Sequence, residues 1–148
     1  MKVERTIELK ASPEEVYDVV MDPDRLDDWV TIHAGLPEAP NGQLRQGSEL
    51  TQSLKIAGQR FNVHWKVVQA DKPNRVVWEG RGPVRSKARV VYDFEPEGEG
   101  TRFCYANEYH APGGPLGRIA DHALAGTSKR EADRSLERLK KLVERNGR

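Results

Sequence analysis

The 148-residue sequence predicts an α+β fold of the helix-grip kind. In it, a curved antiparallel sheet of six to seven strands wraps around one long C-terminal α-helix, and two short helices follow the first strand. Three observations predict this. Residues 48–110 alternate apolar and polar side chains, the period of strands buried on one face. Turn-forming residues interrupt that run often enough to fold it into hairpins. From residue 116 the apolar spacing changes to three and four, the period of an amphipathic helix. The length suits one domain, 1–148, with one core.

The elements follow in order. Residues 3–9 read as a strand with Val3, Arg5, Ile7 and Leu9 on one face. Ser12-Pro13-Glu14-Glu15 announces a helix: Ser12 is a good N-cap, Pro13 fits the first position and Glu15 completes a capping box. Asp22-Pro23 opens a second short helix carrying Leu26, Trp29 and Val30. Pro37, Pro40, Asn41 and Gly42 suggest a loop or an irregular edge strand. Residues 48–57 alternate, with Leu50, Leu54 and Ile56 aligned. In 60–70, Phe61, Val63, Trp65 and Val67 share a face. Asp71-Lys72-Pro73-Asn74 is a turn. Strands at 75–81 (Val76, Trp78), 86–95 (Ala88, Val90, Tyr92, Phe94) and 101–110 (Phe103, Tyr105, Asn107, Tyr109) complete the sheet. A final helix from about 116 to 145 spans roughly 45 Å at 1.5 Å per residue.

The totals narrow the function. Apolar residues are 36% and charged residues 32%, with a net charge of +1, so no nucleic-acid role is expected. No apolar run is long enough to span a membrane, and MKVERTIELK lacks the apolar core of a signal peptide. The lone Cys104 cannot form an intrachain disulfide, which fits a reducing, cytoplasmic setting. Charge is uneven: residues 1–40 hold four basic and ten acidic side chains, residues 127–148 eight basic and four acidic. A solvated helix face explains the basic end; docking on an acidic partner or transient contact with a membrane surface is the sharper alternative.

A half-buried antiparallel sheet must cover its apolar face, and only the C-terminal helix is long enough to do so. A twisted sheet curls away from a straight helix, which leaves a gap. The bulky Leu136, Leu139, Leu142 and Val143 should clamp one half of the helix. The smaller residues around 120–127 should leave room under the other. The expected ligand-contacting residues are Arg5, Phe61, Val63, Trp65, Trp78, Tyr92, Phe103, Tyr105, Asn107 and Tyr109 from the strands, and Leu116, Ala120, Ala123 and Leu124 from the helix. Asn107, the tyrosines and Arg5 stand out, because a polar group in an apolar space needs a partner, protein or ligand. The plain alternative is that the tyrosine tips reach solvent and Arg5 pairs with an acidic neighbour. Trp29 fits either core or wall.

This order of elements resembles the START and birch-pollen-allergen superfamily, SRPBCC, and within it the bacterial polyketide cyclase/dehydrase and lipid-transport group. The likeness rests on Ala11-Ser12-Pro13-Glu14-Glu15-Val16-Tyr17 after the opening strand, on Trp29, and on Gly100-Thr101-Arg102-Phe103. It continues through Pro112-Gly113-Gly114-Pro115-Leu116-Gly117 and Leu136-Glu137-Arg138-Leu139-Lys140-Lys141-Leu142, and so covers the whole chain. The resemblance implies the helix-grip fold. Its activities are diverse: lipid and hormone carriers, aromatase/cyclases, oxygenase domains and chaperone regulators.

Other chemistry finds little support. His33, His64, His110 and His122 show no metal-ligand spacing, and no metal or other cofactor is expected. Cys104 falls on the face opposite the aromatics, and no Gly-x-Ser-x-Gly elbow exists. The segment Pro112–Gly117 lacks the Lys and Ser/Thr of a phosphate loop. The leading expectation is a binder of a small hydrophobic molecule, lipid, polyketide or aromatic metabolite, acting as a monomer or homodimer. One alternative is a metal-free polyketide cyclase/dehydratase using pocket Tyr, Asn and Arg groups. Another is an interaction module using the basic helix.

Overall fold

Helix capping is local chemistry, and it sets the first elements. Strand β1 (Lys2–Leu9) ends at a bend where Ser12 takes extended backbone and its Oγ accepts from the Glu15 N–H at 3.3 Å. Helix α1 (Pro13–Val20) therefore starts at that Ser-Pro pair. Asp22 repeats the device, its carboxylate accepting from the Asp24 N–H at 3.0 Å, and a one-turn 3₁₀ helix leads into α2 (Leu26–Trp29). The computed structural model describes residues 2–56, 58–110 and 115–146, with side chains at all of these except 84, 115–128 and 146.

The strands then run β2 (His33–Glu38), β3 (Glu49–Ile56), β4 (Gln59–Asp71), β5 (Arg75–Arg81), β6 (Lys87–Glu97) and β7 (Gly100–His110), followed by α3 (Pro115–Asn146). They form one curved antiparallel sheet of seven strands in the order β1-β7-β6-β5-β4-β3-β2. The first two strands in the chain, β1 and β2, are thus the two sheet edges. The stretch read as a loop or irregular edge strand is the latter, since the register of β2 on β3 shifts on either side of Gly35. A bulge in β4 leaves Val68 without a partner on β5 and 37% exposed. No helix among the described residues is long and apolar enough to cross a membrane.

Alternation decides what the sheet presents to α3. On the inward face Val63, Trp65, Val67, Val76, Trp78, Val90, Tyr92, Phe94 and Phe103 are all buried. At one end α1 joins this layer. Tyr17, Phe94 and Phe103 form a chain of rings with centroids 5.3 and 5.2 Å apart. The same core includes Leu139, wholly buried, and Val143 from the last turns of α3. Each buried side chain of this size contributes roughly 1.5–3 kcal/mol of hydrophobic stabilisation. The Thr101 hydroxyl donates to the Ala11 carbonyl at 2.7 Å and ties β7 to the entry of α1.

Candidate functional site

At the other end of the same core a cavity of about 250 Å3 remains between the sheet and α3. Its strand wall consists of Leu54 and Ile56 from β3, Phe61, Val63 and Trp65 from β4, and Ala88 and Tyr92 from β6. Strand β7 adds Tyr105, Asn107 and Tyr109. The helical wall is Glu131, Ala132, Ser135 and Leu136. Trp29, Val30 and Ile32 close one side, and the turn at Gly82, Pro83, Ser86 and Lys87 stands at another.

Of the residues expected from the sequence, Phe61, Val63, Trp65, Tyr92, Tyr105, Asn107 and Tyr109 line this cavity together. Three do not. Arg5 turns to α3, where its Nε lies 2.7 Å from Asp133 Oδ1 and its Nη1 donates to the Glu4 carbonyl at 2.8 Å. An acidic side chain on the facing helix was near enough to take the charge, so Arg5 clasps β1 to α3. Trp78 and Phe103 are on the inward face but are covered by neighbours. Trp78 lies edge-on to Trp65 and Tyr92, with centroids 5.9 and 6.2 Å away. Phe103 stacks under Tyr92 at 5.5 Å. The side chains of Leu116, Ala120, Ala123 and Leu124 lie outside the described residues.

The wall is not wholly apolar. Asn107 Nδ2 donates to the Tyr105 hydroxyl at 3.2 Å, while its Oδ1 is buried with no hydrogen-bond partner among the described residues. The Trp29 Nε1–H is buried and unpartnered in the same sense. Burial raises the pKa of the Tyr92 phenol well above its usual value and also raises that of Tyr105, so both stay protonated donors. A buried unpaired group of this kind costs free energy, and Trp78 Nε1–H, away from the cavity, is another.

Trp65 is fixed by two devices. Opposite it on β5 is Gly80, where an added Cβ would come within 2.6 Å of the indole Cε3. Glycine there makes room for the ring. On its other side the Trp65 Nε1–H donates to Gln52 Oε1 at 3.0 Å, and Gln52 Nε2 lies 2.8 Å from His33 Nδ1. An indole can only donate, so the amide oxygen must face it and the amide NH2 must face His33. His33 Nδ1 is then the acceptor, and its ring is neutral. Burial also lowers the His33 pKa, opposed by the charge of Asp27.

The loop after α2 is tied to α3 beside the cavity. Thr31 N–H donates to Ser135 Oγ at 3.1 Å, and the Thr31 hydroxyl bonds the Glu131 carboxylate. Glu131 Oε1 also lies 3.6 Å from Arg134 Nη1. The other histidines stand apart. His64 pairs with Glu49 at 3.1 Å on the exposed face, His110 lies 3.8 Å from Glu108, and His122 is outside the described residues. Cys104 accepts from the Thr6 hydroxyl at 3.8 Å on the outward face.

Sequence reasoning missed several of these residues. Gln52 was readable, because strict alternation puts it between Leu50 and Leu54 on the inward face. Gly80 was readable in the same way, one step past Trp78. Glu131, Ala132 and Ser135 carried no signal strong enough, since a helix face with mixed polarity does not say what it meets. Leu136 was expected in the tightly clamped half of the helix; it is 4% exposed but lines the cavity.

A seven-stranded antiparallel sheet gripping a C-terminal helix defines a helix-grip protein. The model of the family "Polyketide cyclase / dehydrase and lipid transport" matches residues 1–144, and the chain belongs to that family. Among curated proteins it is 28% identical over 142 residues to an uncharacterized protein of Mycobacterium tuberculosis, covering 95% of this chain and 96% of that one. It is also 25% identical over 129 residues to a Mycobacterium tuberculosis protein named a toxin, covering 83% and 87%. Among solved structures, a protein of Thermus thermophilus superposes with a TM-score of 0.80 at 18% identity, covering 100% of both chains. The Zhui aromatase/cyclase of Streptomyces sp. R1128 superposes with a TM-score of 0.79 at 15% identity, covering 100% and 96%. At those identities the structural likeness speaks for the fold.

Proposed function

We propose that this chain binds a small hydrophobic molecule, such as a lipid, polyketide or aromatic metabolite, between the concave sheet face and α3. One observation carries the reading. A cavity of about 250 Å3 is walled by aromatic and aliphatic side chains, and one lining residue, Asn107, has a buried Oδ1 without a partner among the described residues. A buried orphan costs about 1–3 kcal/mol, and a ligand hydroxyl or N–H at that point would remove the cost. The Trp29 indole N–H asks for an acceptor in the same way. The ligand is therefore an apolar body with a hydrogen-bonding group. Its contacts are Phe61, Val63, Trp65, Tyr92, Tyr105, Asn107 and Tyr109. The setting proposed for this role is cytoplasmic.

A second reading is a polyketide cyclase/dehydratase. The protonated Tyr105 phenol, held by Asn107, supports it, because a fixed neutral donor can polarise a ligand carbonyl. The two readings separate on Tyr105→Phe. Loss of turnover with affinity kept speaks for the enzyme; a small change in affinity with no reaction in the unaltered protein speaks for the binder.

Native mass spectrometry of the protein as purified, followed by a thermal-shift panel of fatty acids, polyketides and fused-ring phenols, tests the proposal. The expected result is a co-purifying apolar molecule or a clear stabilisation by one class. No bound molecule and no shift across the panel would refute it.

A further inference from the structure

A second hollow of about 230 Å3 lies beside the first, lined by Thr31, Ile32, Lys55, Ile56, Glu131, Arg134 and Arg138. Ile32, Ile56 and Glu131 belong to both walls, so the two spaces adjoin. Their chemistry differs sharply: the first is mostly apolar, the second mostly charged. Three cations face one carboxylate there. That carboxylate is already engaged, by the Thr31 hydroxyl on one oxygen and by Arg134, 3.6 Å away, on the other. Lys55 from β3 and Arg138 from α3 enter none of the ion pairs formed among the described residues. Two exposed cations from different elements line one concavity and give it a positive face with room for an anion, and a guanidinium offers a forked donor suited to one.

Resting on the binding role proposed above, we infer that the ligand is an anionic amphiphile. Its apolar body occupies the aromatic cavity, and its carboxylate or phosphate head lies in the adjoining hollow against Lys55 and Arg138. The binding groups are then divided along the molecule: rings and Asn107 for the body, two cations for the head. The heads are exposed to solvent, so the charge term is partly screened.

The test compares 1-decanol, decanoate and decyl phosphate, three molecules with one tail and different heads, by isothermal titration calorimetry. In the unaltered protein at low salt, at least one of the two anions should bind tenfold or more tightly than the alcohol. Which anion wins identifies the head group. In the variant K55Q/R138Q the preference should fall below threefold, while 1-decanol affinity stays within twofold and the melting temperature confirms folding. Raising the salt to 1 M should shrink the preference in the unaltered protein. An alcohol that binds as well as both anions would overturn this inference and leave the cavity reading standing. A preference that survives in the double variant would also overturn it. Binding of none of the three would remove the apolar site, and this inference with it.

Discussion

The two ends of the core are built from the same materials and do different things. Around Tyr17, Phe94, Phe103, Leu139 and Val143 the rings and aliphatic chains interlock with little exposure. Around Trp65, Tyr92, Tyr105, Asn107 and Ala132 the same sheet and the same helix stand apart and enclose about 250 Å3. What differs is what stands between sheet and helix. At the packed end α1 contributes Val16, Tyr17 and Val20, all buried, as a wedge. At the hollow end, among the described residues, the helix presents Glu131, Ala132, Ser135 and Leu136, with Trp29, the chain after α2 and the turn at Gly82–Lys87 at the sides. A polar group at the packed end, Thr101, has its hydrogen bond; one at the hollow end, Asn107, has an oxygen left over. The packed end stabilises the fold, and the hollow end is where a ligand is proposed to sit.

Mutations at the two ends should therefore differ in kind. The largest effect on stability is expected from Leu139→Ala at the packed end, about 2–5 kcal/mol from lost burial and the void left behind. Chemical denaturation measures it, and ligand affinity in the folded fraction should be little changed. Gly80→Ala should cost about 1–3 kcal/mol, because the new Cβ collides with the Trp65 ring and pushes it from its seat. That variant should weaken ligand binding as well as stability. Ala132→Leu fills the cavity from α3. The expected outcome is a tenfold or greater loss of affinity, equal to about 1.4 kcal/mol, with an unchanged or higher melting temperature. Asn107→Leu removes the orphan acceptor but also the donor to the Tyr105 hydroxyl, so the stability of the free protein should change by no more than about 1 kcal/mol while binding of hydroxyl-bearing ligands weakens. A change that harms binding more than stability marks a site kept for function.

The smallest expected effect is a pH dependence. Burial lowers the His33 pKa below its ordinary value of about 6.5. The unfolded chain then binds the proton more readily than the folded one. The associated stability is fully present above pH 6.5 and is lost as the pH falls through the window down to the lowered folded value. Denaturation midpoints should fall between neutral and mildly acid pH, and His33→Gln should flatten that trend. Protonation would also set an N–H of His33 against the Gln52 amide, loosening the hold on Trp65.

Much of this contrast was legible in the sequence, and its limits were physical. The periods of two and of three to four gave the sheet, the helix and the inward faces, and Ser12 and Asp22 gave the helix starts. Alternation correctly aligned Phe61, Val63, Trp65, Tyr92, Tyr105, Asn107 and Tyr109, which the structure brings to one wall. Alternation cannot say how deep a side chain lies, so Trp78 and Phe103 read like their neighbours although other rings cover them. Nor can it see a partner far along the chain: Arg5 and Asp133 are 128 residues apart. The adjoining charged hollow was invisible for the same reason, since Lys55 of β3 and Arg138 of α3 come to line one hollow only in the folded chain.

The three indole N–H signals in a 1H–15N correlation spectrum test the account most directly. Trp29 and Trp65 line the cavity, and Trp78 lies behind Trp65. On titration with a fused-ring phenol such as 2-naphthol, the Trp29 and Trp65 signals should move strongly and saturate together, while Trp78 moves least. If Trp78 moves as much as the other two, or if none moves at saturating phenol, the hollow end does not receive ligands.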